Sequence, residues 1–273
     1  MISSNGYDLD TTVSSFTATQ KDYAQRSKTA TRLPGAALDL SYGDHPRQKI
    51  DVFPISVKAP VILFLRGGYW KLGSKEDRRF PASVWRDRGV AWAVPNYRLS
   101  PIFTLDEIVE DARNGLIYLS KNADQFNVDP KQVHLVGNSA GAHLAAMLAA
   151  DVDLPQVASL TLISGLFDLV PLIKTEANSW LGLEKESARR LSPIHQLPHA
   201  SVPIIACCGD RETDAFKYQT KLYADACRSN GNAVTHFESP GKDHIGIIGE
   251  CSDPGTPVFS ALERHIKMAL PKS

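Results

Sequence analysis

Short apolar runs that alternate with helical patterns constrain the fold of this chain more than any other feature. Five of these apolar runs have the pattern of a strand buried on both faces, namely PVILFL, GVAWAVPN, QVHLVGN, VASLTLIS and VPIIACCG. A strand covered on both faces has no exposed side, so its residues need not alternate with polar ones. Between these runs lie helical patterns, including TLDEIVEDARNGLIYLSKNA and AGAHLAAMLAA. This order predicts a mostly parallel sheet with helices on both faces.

Three weaker strand patterns complete a predicted sheet of eight strands. ALDLSYG and KIDVFP precede the first buried run and AVTHFES follows the last one. The two early strands are close in sequence, which allows an antiparallel pair. Further helices are predicted in VSSFTATQKDYAQRS, within an N-terminal helical segment at residues 1–35, in AFKYQTKLYADACRSNG with Gly231 as its C-cap, and in TPVFSALERHIKMAL.

Length, apolar content and charge narrow the function classes. The 273 residues suit one domain, and 43% apolar content allows a sizeable core. Lys plus Arg and Asp plus Glu both total 30, so the excess of basic residues that typifies nucleic-acid binding is absent. No apolar run approaches the ~18 residues of a membrane span, and no signal-peptide pattern begins the chain. We expect a single-domain cytoplasmic protein that binds neither nucleic acid nor membrane, and a homodimer remains open.

Cysteine and histidine spacing gives no metal or cofactor signature. The chain has four cysteines but no CxxC pair. His195 and His199 have the i, i+4 spacing of a helical metal site, but Pro193 and Pro198 argue against a helix there. We therefore predict that the protein needs neither a metal ion nor a cofactor.

Residues 165–200 lack a strand pattern and end in the Pro-rich LSPIHQLPHA. Long irregular insertions between strands often cover a functional site. We predict a lid or pocket wall, with an inert connector as the alternative.

The sequence GNSAG lies between an apolar strand pattern and an Ala-rich helix. This G-x-S-x-G pattern, in the strand–turn–helix context that confirms it, is a nucleophile elbow. The turn exposes a serine hydroxyl, and the small flanking residues allow strand and helix to approach closely. Ser139 is thus the predicted nucleophile, and a Gly-rich structural turn is the alternative.

The stretch LFLRGGYW ends the first buried strand with a charge, two glycines and two aromatic residues. Acyl transfer needs backbone N–H donors for the oxyanion of the tetrahedral intermediate, one after the nucleophile and others in the loop after this strand. The sequence therefore predicts an oxyanion hole formed by Gly67, Gly68 and Ala140.

The base and the acid are expected later in the chain, because the order in such folds is Ser, acid, His. His244 lies in SPGKDHIGIIGE, between the last strand and the last helix, and is the predicted base. Four competing histidines fit packing or surface roles better, namely His134, His143, His236 and His265.

Three carboxylates compete for the acid position in GDRETDAF. Glu212 is favoured because it lies a few residues beyond the strand end. Asp210 remains an alternative, as does Asp214, which also fits as the cap of a helix starting at Ala215.

On these residues the chain resembles the α/β-hydrolase superfamily and, within it, the kynurenine formamidase (arylformamidase) group. The features that carry the resemblance are GGYW, VPNYRLSP, GNSAG, LSPI and ETDAFKYQT. The resemblance covers residue 40 to the end. It implies an α/β-hydrolase fold, a Ser139–Glu212–His244 triad and an oxyanion hole from Gly67, Gly68 and Ala140.

One residue departs from that group, which has histidine where this chain has Arg66. Arg66 is expected to brace the loop by pairing with a carboxylate, or alternatively to bind a substrate carboxylate. Tyr69, Trp70 and Asn138 are further candidate substrate contacts.

The combined expectation is a serine hydrolase that cleaves the amide of an N-acylated aromatic amine, such as an N-formylkynurenine- or N-acylanthranilate-like compound. A carboxylesterase acting on small esters would use the same residues. A non-catalytic scaffold that binds a ligand is the alternative from another class.

Overall fold

A computed structural model describes residues 4–8 and 16–270 as an eight-stranded sheet flanked by helices. The spatial order of the strands is β1-β2-β4-β3-β5-β6-β7-β8. Their bounds are β1 Ala37–Ser41, β2 Lys49–Phe53, β3 Ala59–Leu65, β4 Ala91–Pro95, β5 Val128–Asn138, β6 Ser159–Ile163, β7 Ile204–Gly209 and β8 Val234–Ser239. The prediction of a mostly parallel sheet is confirmed, because among the described strands β2 alone runs opposite to the others.

The helices that accompany the sheet range from one turn to more than four. They are α1 Phe16–Ala30, α2 Ala82–Arg86, α3 Leu105–Lys121, α4 Ala140–Ala150, α5 Asn178–Leu181, α6 Lys185–Arg190, α7 Asp214–Ser229 and α8 Pro257–Ala269. Short 3₁₀ helices lie at Ser4–Tyr7, Lys75–Arg78, Asp124–Phe126, Val170–Lys174, Pro193–His195 and Gly246–Ser252. The long helices match the periodic patterns, whereas one-turn helices are too short to produce a period.

Local signals explain where several helices begin and end. Helix α3 starts with a capping box in which Thr104 and Glu107 bond each other's backbone N–H groups. Asn230 is the C-cap of α7, and Gly231, which was predicted for that position, follows it with φ +96°. Asp214 is not the cap of α7, because Thr213 holds that position and Asp214 is the first helical residue. Helix α1 starts at Phe16, and residues 13–15 of its predicted pattern lie outside the described residues.

The sheet separates two apolar clusters, which is why its central strands are apolar on both faces. One cluster joins the sheet to α3, α4 and α7, and the other joins it to α1, α2 and α8. Residues 165–200 contain α5 and α6, and their buried side chains, such as Phe167 and Leu172, belong to the first cluster. This segment is therefore packed against the body of the domain.

The carboxyl ends of β3, β5, β7 and β8 carry the predicted site residues. Parallel strands place these ends at one edge of the sheet, where ligands bind in open α/β folds. Arg66 follows β3, Ser139 follows β5, Glu212 lies just beyond β7 and His244 lies in the loop after β8. The topology alone thus brings four separate stretches of chain together.

Candidate active site

Ser139 occupies a sharp turn between β5 and α4. Its φ of +53° and ψ of −122° are strained for a residue with a side chain. A Cβ on Gly141 would lie 2.0 Å from the Leu65 carbonyl oxygen, and one on Gly137 would lie 2.2 Å from the Gly141 oxygen. Both glycines of the motif are therefore required by the close approach of strand and helix around the serine.

His244 and Glu212 form a buried hydrogen-bonded pair. The distance between His244 Nδ1 and Glu212 Oε2 is 2.6 Å, and the His244 side chain is 1% exposed. This pairing puts the proton of neutral His244 on Nδ1 and leaves Nε2 as an acceptor. Nε2 is buried and has no hydrogen-bond partner among the described residues, Ser139 included. Hydrogen bonds between catalytic groups are often long until a substrate binds. An Nε2 without a partner is therefore consistent with His244 acting as a general base toward Ser139.

The second carboxylate oxygen of Glu212 is held by two donors. Glu212 Oε1 accepts hydrogen bonds from the Gly209 backbone N–H, at 2.6 Å, and from the Ser164 hydroxyl. Ser164 lies just after β6, the strand between those that carry Ser139 and Glu212. Its role escaped the sequence analysis, because a serine at a strand end is unremarkable until the neighbouring strand is known.

The competing carboxylates have other roles. Asp210 Oδ1 accepts a hydrogen bond from the Gly241 backbone N–H at an exposed position. Asp214 begins α7, and the carboxylate bonded to His244 Nδ1 is that of Glu212. The structure therefore brings Glu212, and neither aspartate, to the predicted base.

Two of the competing histidines are buried away from the predicted pair. His143 bonds the Leu191 carbonyl oxygen at 2.8 Å, and burial lowers its pKa to about 4. His134 bonds the Ser159 hydroxyl at 2.7 Å, and burial lowers its pKa to about 3. Burial also lowers the pKa values of His236 and His265. None of the four is bonded to Glu212 in the described part of the chain.

Hydrogen bonds to its carbonyl oxygens fix the conformation of the loop after β3. Because C=O and N–H point in opposite directions across a trans peptide, holding one aims the other. The Arg66 oxygen accepts from the Tyr97 hydroxyl, the Gly67 oxygen from Arg66 Nη1, and the Gly68 oxygen from the Lys71 and Leu72 N–H groups. The opposite N–H groups are those of Gly67, Gly68 and Tyr69.

Only part of the predicted oxyanion hole is consistent with these bonds. The Gly67 N–H donates to Asn138 Oδ1 at 3.0 Å, so it is not open to an oxyanion. The backbone N–H groups of Gly68, Tyr69 and Ala140 make no hydrogen bond to an acceptor within residues 4–8 and 16–270. The prediction of Gly67 as a donor is corrected, and Tyr69 takes its place beside Gly68 and Ala140 as a candidate.

Arg66 braces this loop without the carboxylate that the sequence analysis expected. Its Nη1 contacts the Leu72 oxygen at 2.6 Å and the Gly67 oxygen at 3.1 Å, and its Nε contacts Asn96 Oδ1 at 3.2 Å. Its guanidinium carbon lies 4.0 Å from the centre of the Tyr97 ring. Burial lowers the pKa of Arg66 to about 10, which still leaves it charged at neutral pH. Nη2 is buried without a partner among the described residues.

Replacing Arg66 should therefore impair every substrate alike. In Arg66→Met, which keeps length but removes the donors, we expect kcat to fall about 10- to 100-fold, short of losing an oxyanion donor outright. The melting temperature should also fall, because the oxygens of Gly67 and Leu72 lose the donor that Arg66 supplies. The check is kcat and KM for one acidic and one neutral N-acyl aniline, with melting curves. A rise in KM confined to the acidic substrate would contradict bracing and assign Arg66 to substrate binding.

The other tentative substrate contacts divide into two groups. Trp70 is fully buried and packs edge-on against His143, so it does not line an open pocket. Asn138 is 3% exposed and its oxygen is used by Gly67. Tyr69 remains half-buried and is the one aromatic of the motif that keeps exposed surface. The structure thus keeps Tyr69 as a candidate contact and assigns Trp70 and Asn138 to support of the loop.

The end of the ETDAFKYQT motif supports the base and the chain beyond β6. The Phe216 ring lies 4.3 Å from the His244 ring. Gln219 Oε1 accepts from the backbone N–H groups of Phe167 and Asp168, at 2.9 and 2.8 Å.

In the described part of the chain, no group of three or more His, Cys, Asp or Glu side chains could hold a metal ion, and no helix is long and apolar enough to span a membrane.

The sheet topology and the strained serine turn define an α/β-hydrolase. A putative thioesterase from Silicibacter sp. has a similar structure, with a TM-score of 0.85 at 25% identity over 94% of this chain and 97% of that one. Residues 54–225 match the family described as BD-FAE, and the chain belongs to that family.

Two relatives narrow the comparison. The chain is 29% identical to kynurenine formamidase from Salmo salar over 92% of its own length and 87% of that protein. It is 35% identical to isoprenylcysteine alpha-carbonyl methylesterase from Arabidopsis thaliana over 77% of its length and 56% of that protein. The resemblance to the kynurenine formamidase group is confirmed, and the protein is a hydrolase.

Proposed function

We propose that this hydrolase cleaves the amide bond of an N-acylated aromatic amine through an acyl-enzyme on Ser139. The observation that carries the proposal is the buried Glu212–His244 pair, whose Nε2 has no hydrogen-bond partner among the described residues and lies at the same sheet edge as the strained serine. The similarity to kynurenine formamidase supports an amide of an aromatic amine as the substrate.

Each group has a defined task in the proposed reaction. His244 Nε2 takes the proton of Ser139 as the hydroxyl oxygen attacks the acyl carbon, and Glu212 stabilises the resulting imidazolium. The N–H groups of Gly68, Tyr69 and Ala140 donate to the oxyanion. His244 then protonates the departing amine, and water, activated by the same histidine, releases the acyl group. No step needs a metal or cofactor.

Ester hydrolysis is the second candidate, because the same groups would perform it. The similarity to a methylesterase supports this alternative. The activity would then be that of a carboxylesterase on small aryl or alkyl esters.

A matched substrate screen separates the candidates. Formyl, acetyl and octanoyl groups would each be presented as an anilide and as the corresponding phenyl ester. We expect turnover of anilides, with the short acyl groups preferred, and kcat/KM should be measured against the uncatalysed rate of each compound. Turnover of esters alone would reject the amidase proposal in favour of an esterase. Absence of both turnover and labelling by a fluorophosphonate would indicate a non-catalytic scaffold.

A further inference from the structure

Two half-buried aromatic side chains, Tyr69 and Trp180, lie next to each other beside the loop after β3, which we call the oxyanion loop. Their ring centres are 6.2 Å apart and their planes are inclined by 82°. Tyr69 directly follows Gly68 in the loop, and Trp180 lies on α5 in the segment between β6 and β7. We call this pair the aromatic corner. It joins the predicted lid to the loop that carries two of the candidate oxyanion donors, Gly68 and Tyr69.

The polar atoms of the aromatic corner are already used within the protein. Trp180 Nε1 donates to the Tyr69 backbone oxygen at 3.1 Å. The Tyr69 hydroxyl donates to the backbone oxygen of Tyr7. What the corner can offer a ligand is therefore ring surface rather than hydrogen bonds. Ring surface of this kind binds flat apolar groups, because aromatic contacts add to the burial of apolar area.

Residues 4–8, which we call the N-terminal strap, contact the aromatic corner through the hydrogen bond from the Tyr69 hydroxyl to the Tyr7 oxygen. Tyr7 is 4% exposed, and its hydroxyl accepts from Gln219 Nε2 at 3.0 Å. The Gly6 oxygen accepts from the Thr213 hydroxyl, one residue after Glu212. The strap thus links Tyr69 to the helix that follows the catalytic acid. Such anchoring fixes the tyrosine ring before a substrate arrives.

The surroundings also restrict how a ligand can reach Trp180. Lys71 Nζ lies 4.0 Å from the ring centre of Trp180 and covers part of that ring. Ser139 and His244 are 3% and 1% exposed, so the approach to them is narrow. Tyr69 and Trp180 adjoin the loop after β3, so a substrate group bound beside that loop would lie close to their rings.

We infer that the aromatic corner is the subsite for the leaving group and that Trp180 is a specificity-determining residue for a flat aromatic ring. The inference rests on the proposed function, in which the leaving group is an aromatic amine or alcohol. It extends that function by assigning the aromatic selectivity to a residue outside the catalytic machinery, on the segment between β6 and β7.

The test compares phenyl acetate with ethyl acetate in wild type, Trp180→Ala and Trp180→Phe. Both substrates form the same acetyl-enzyme, and taking the variant-to-wild-type ratio for each cancels their different intrinsic reactivity. In Trp180→Ala we expect kcat/KM for phenyl acetate to fall about 10- to 100-fold, the range for lost apolar contact in a pocket. Ethyl acetate should lose no more than it does in Trp180→Phe, which also lacks the hydrogen bond from Trp180 Nε1 to the Tyr69 oxygen. Trp180→Phe keeps a ring and should retain most of the phenyl preference.

Tyr118→Ala, which removes a half-buried ring from α3, is the matched control and should change neither substrate. Equal losses on both esters in Trp180→Ala would overturn the inference, because they indicate a structural role alone. It would also be overturned if phenyl acetate were unaffected, or if Trp180→Phe lost as much as Trp180→Ala.

Labelling rates separate failure of the inference from failure of the proposed function. Ser139 would be labelled with two reagents that share one phosphonyl group and require no turnover: an aryl phosphonate, from which phenoxide leaves, and a fluorophosphonate, from which fluoride leaves. If the wild type hydrolyses no ester or amide, but Trp180→Ala slows labelling by the aryl phosphonate more than labelling by the fluorophosphonate, the hydrolase proposal fails and the subsite is supported. A wild type that neither turns over nor is labelled would overturn both.

Discussion

Ser139→Ala is expected to yield a folded protein with almost no turnover. The members of a serine triad act as a unit, so losing the nucleophile removes most of a roughly 10⁶-fold contribution to kcat. The fold should survive, because alanine fits the space of serine and the flanking glycines already accommodate the turn. The measurement is kcat on the best substrate of the screen, together with circular dichroism and a melting curve.

Ser139→Gly is the matched control for the turn. Glycine tolerates the positive φ of this position, so this variant should be at least as stable as wild type and equally inactive. Wild-type-like rates in purified, folded Ser139→Ala would reject the proposed mechanism outright.

Glu212→Gln is expected to lower kcat by about 10³- to 10⁴-fold, the loss typical of a neutralised triad acid. The glutamine oxygen can still accept from Gly209 and Ser164, which places its NH₂ group toward His244 Nδ1. An NH₂ donor at that position favours a proton on Nε2 instead of Nδ1. The histidine then cannot accept the proton of Ser139, although the shape of the site is unchanged.

Asp210→Asn and Asp214→Asn provide controls for that variant. Asp210 accepts from Gly241 in an exposed loop and Asp214 starts α7, so neither change should affect the base. The readout is kcat for the three variants on one substrate. A larger loss in Asp210→Asn than in Glu212→Gln would show that the acid has been assigned to the wrong residue.

The strands, their mostly parallel direction and the serine turn were predictable because their signals are local. Apolar runs of strand length report burial on both faces, and G-x-S-x-G requires two glycines at positions where a Cβ would collide with backbone. The choice of Glu212 among three carboxylates also followed from its distance past a strand end. These inferences need only the residue types and their spacing.

The finer arrangement depends on partners that are far apart in sequence. Gly67 was expected to donate to an oxyanion, but its N–H is taken by Asn138, 71 residues away. Arg66 was expected to have a carboxylate partner, but it is surrounded by carbonyl oxygens and the Tyr97 ring. No local pattern reports which way a peptide plane faces, so these contacts could not be derived from the sequence.

The contributions of Ser164 and the N-terminal strap were missed for the same reason. Ser164 bonds Glu212 across adjacent strands, and the pairing of β6 with β7 is known only once the sheet is built. The strap reaches Thr213 from the opposite end of the chain. In both cases short polar contacts connect segments whose individual sequences carry no functional pattern.

Covalent labelling of Ser139 tests the central claim most directly. Wild-type protein would be treated with a fluorophosphonate and its intact mass measured, followed by peptide mapping of the adduct. We predict one label per chain, on the peptide that contains Ser139, with none in Ser139→Ala and slower labelling in Glu212→Gln. A protein that hydrolyses substrate while remaining unlabelled, or that carries the label on another residue, would contradict the account.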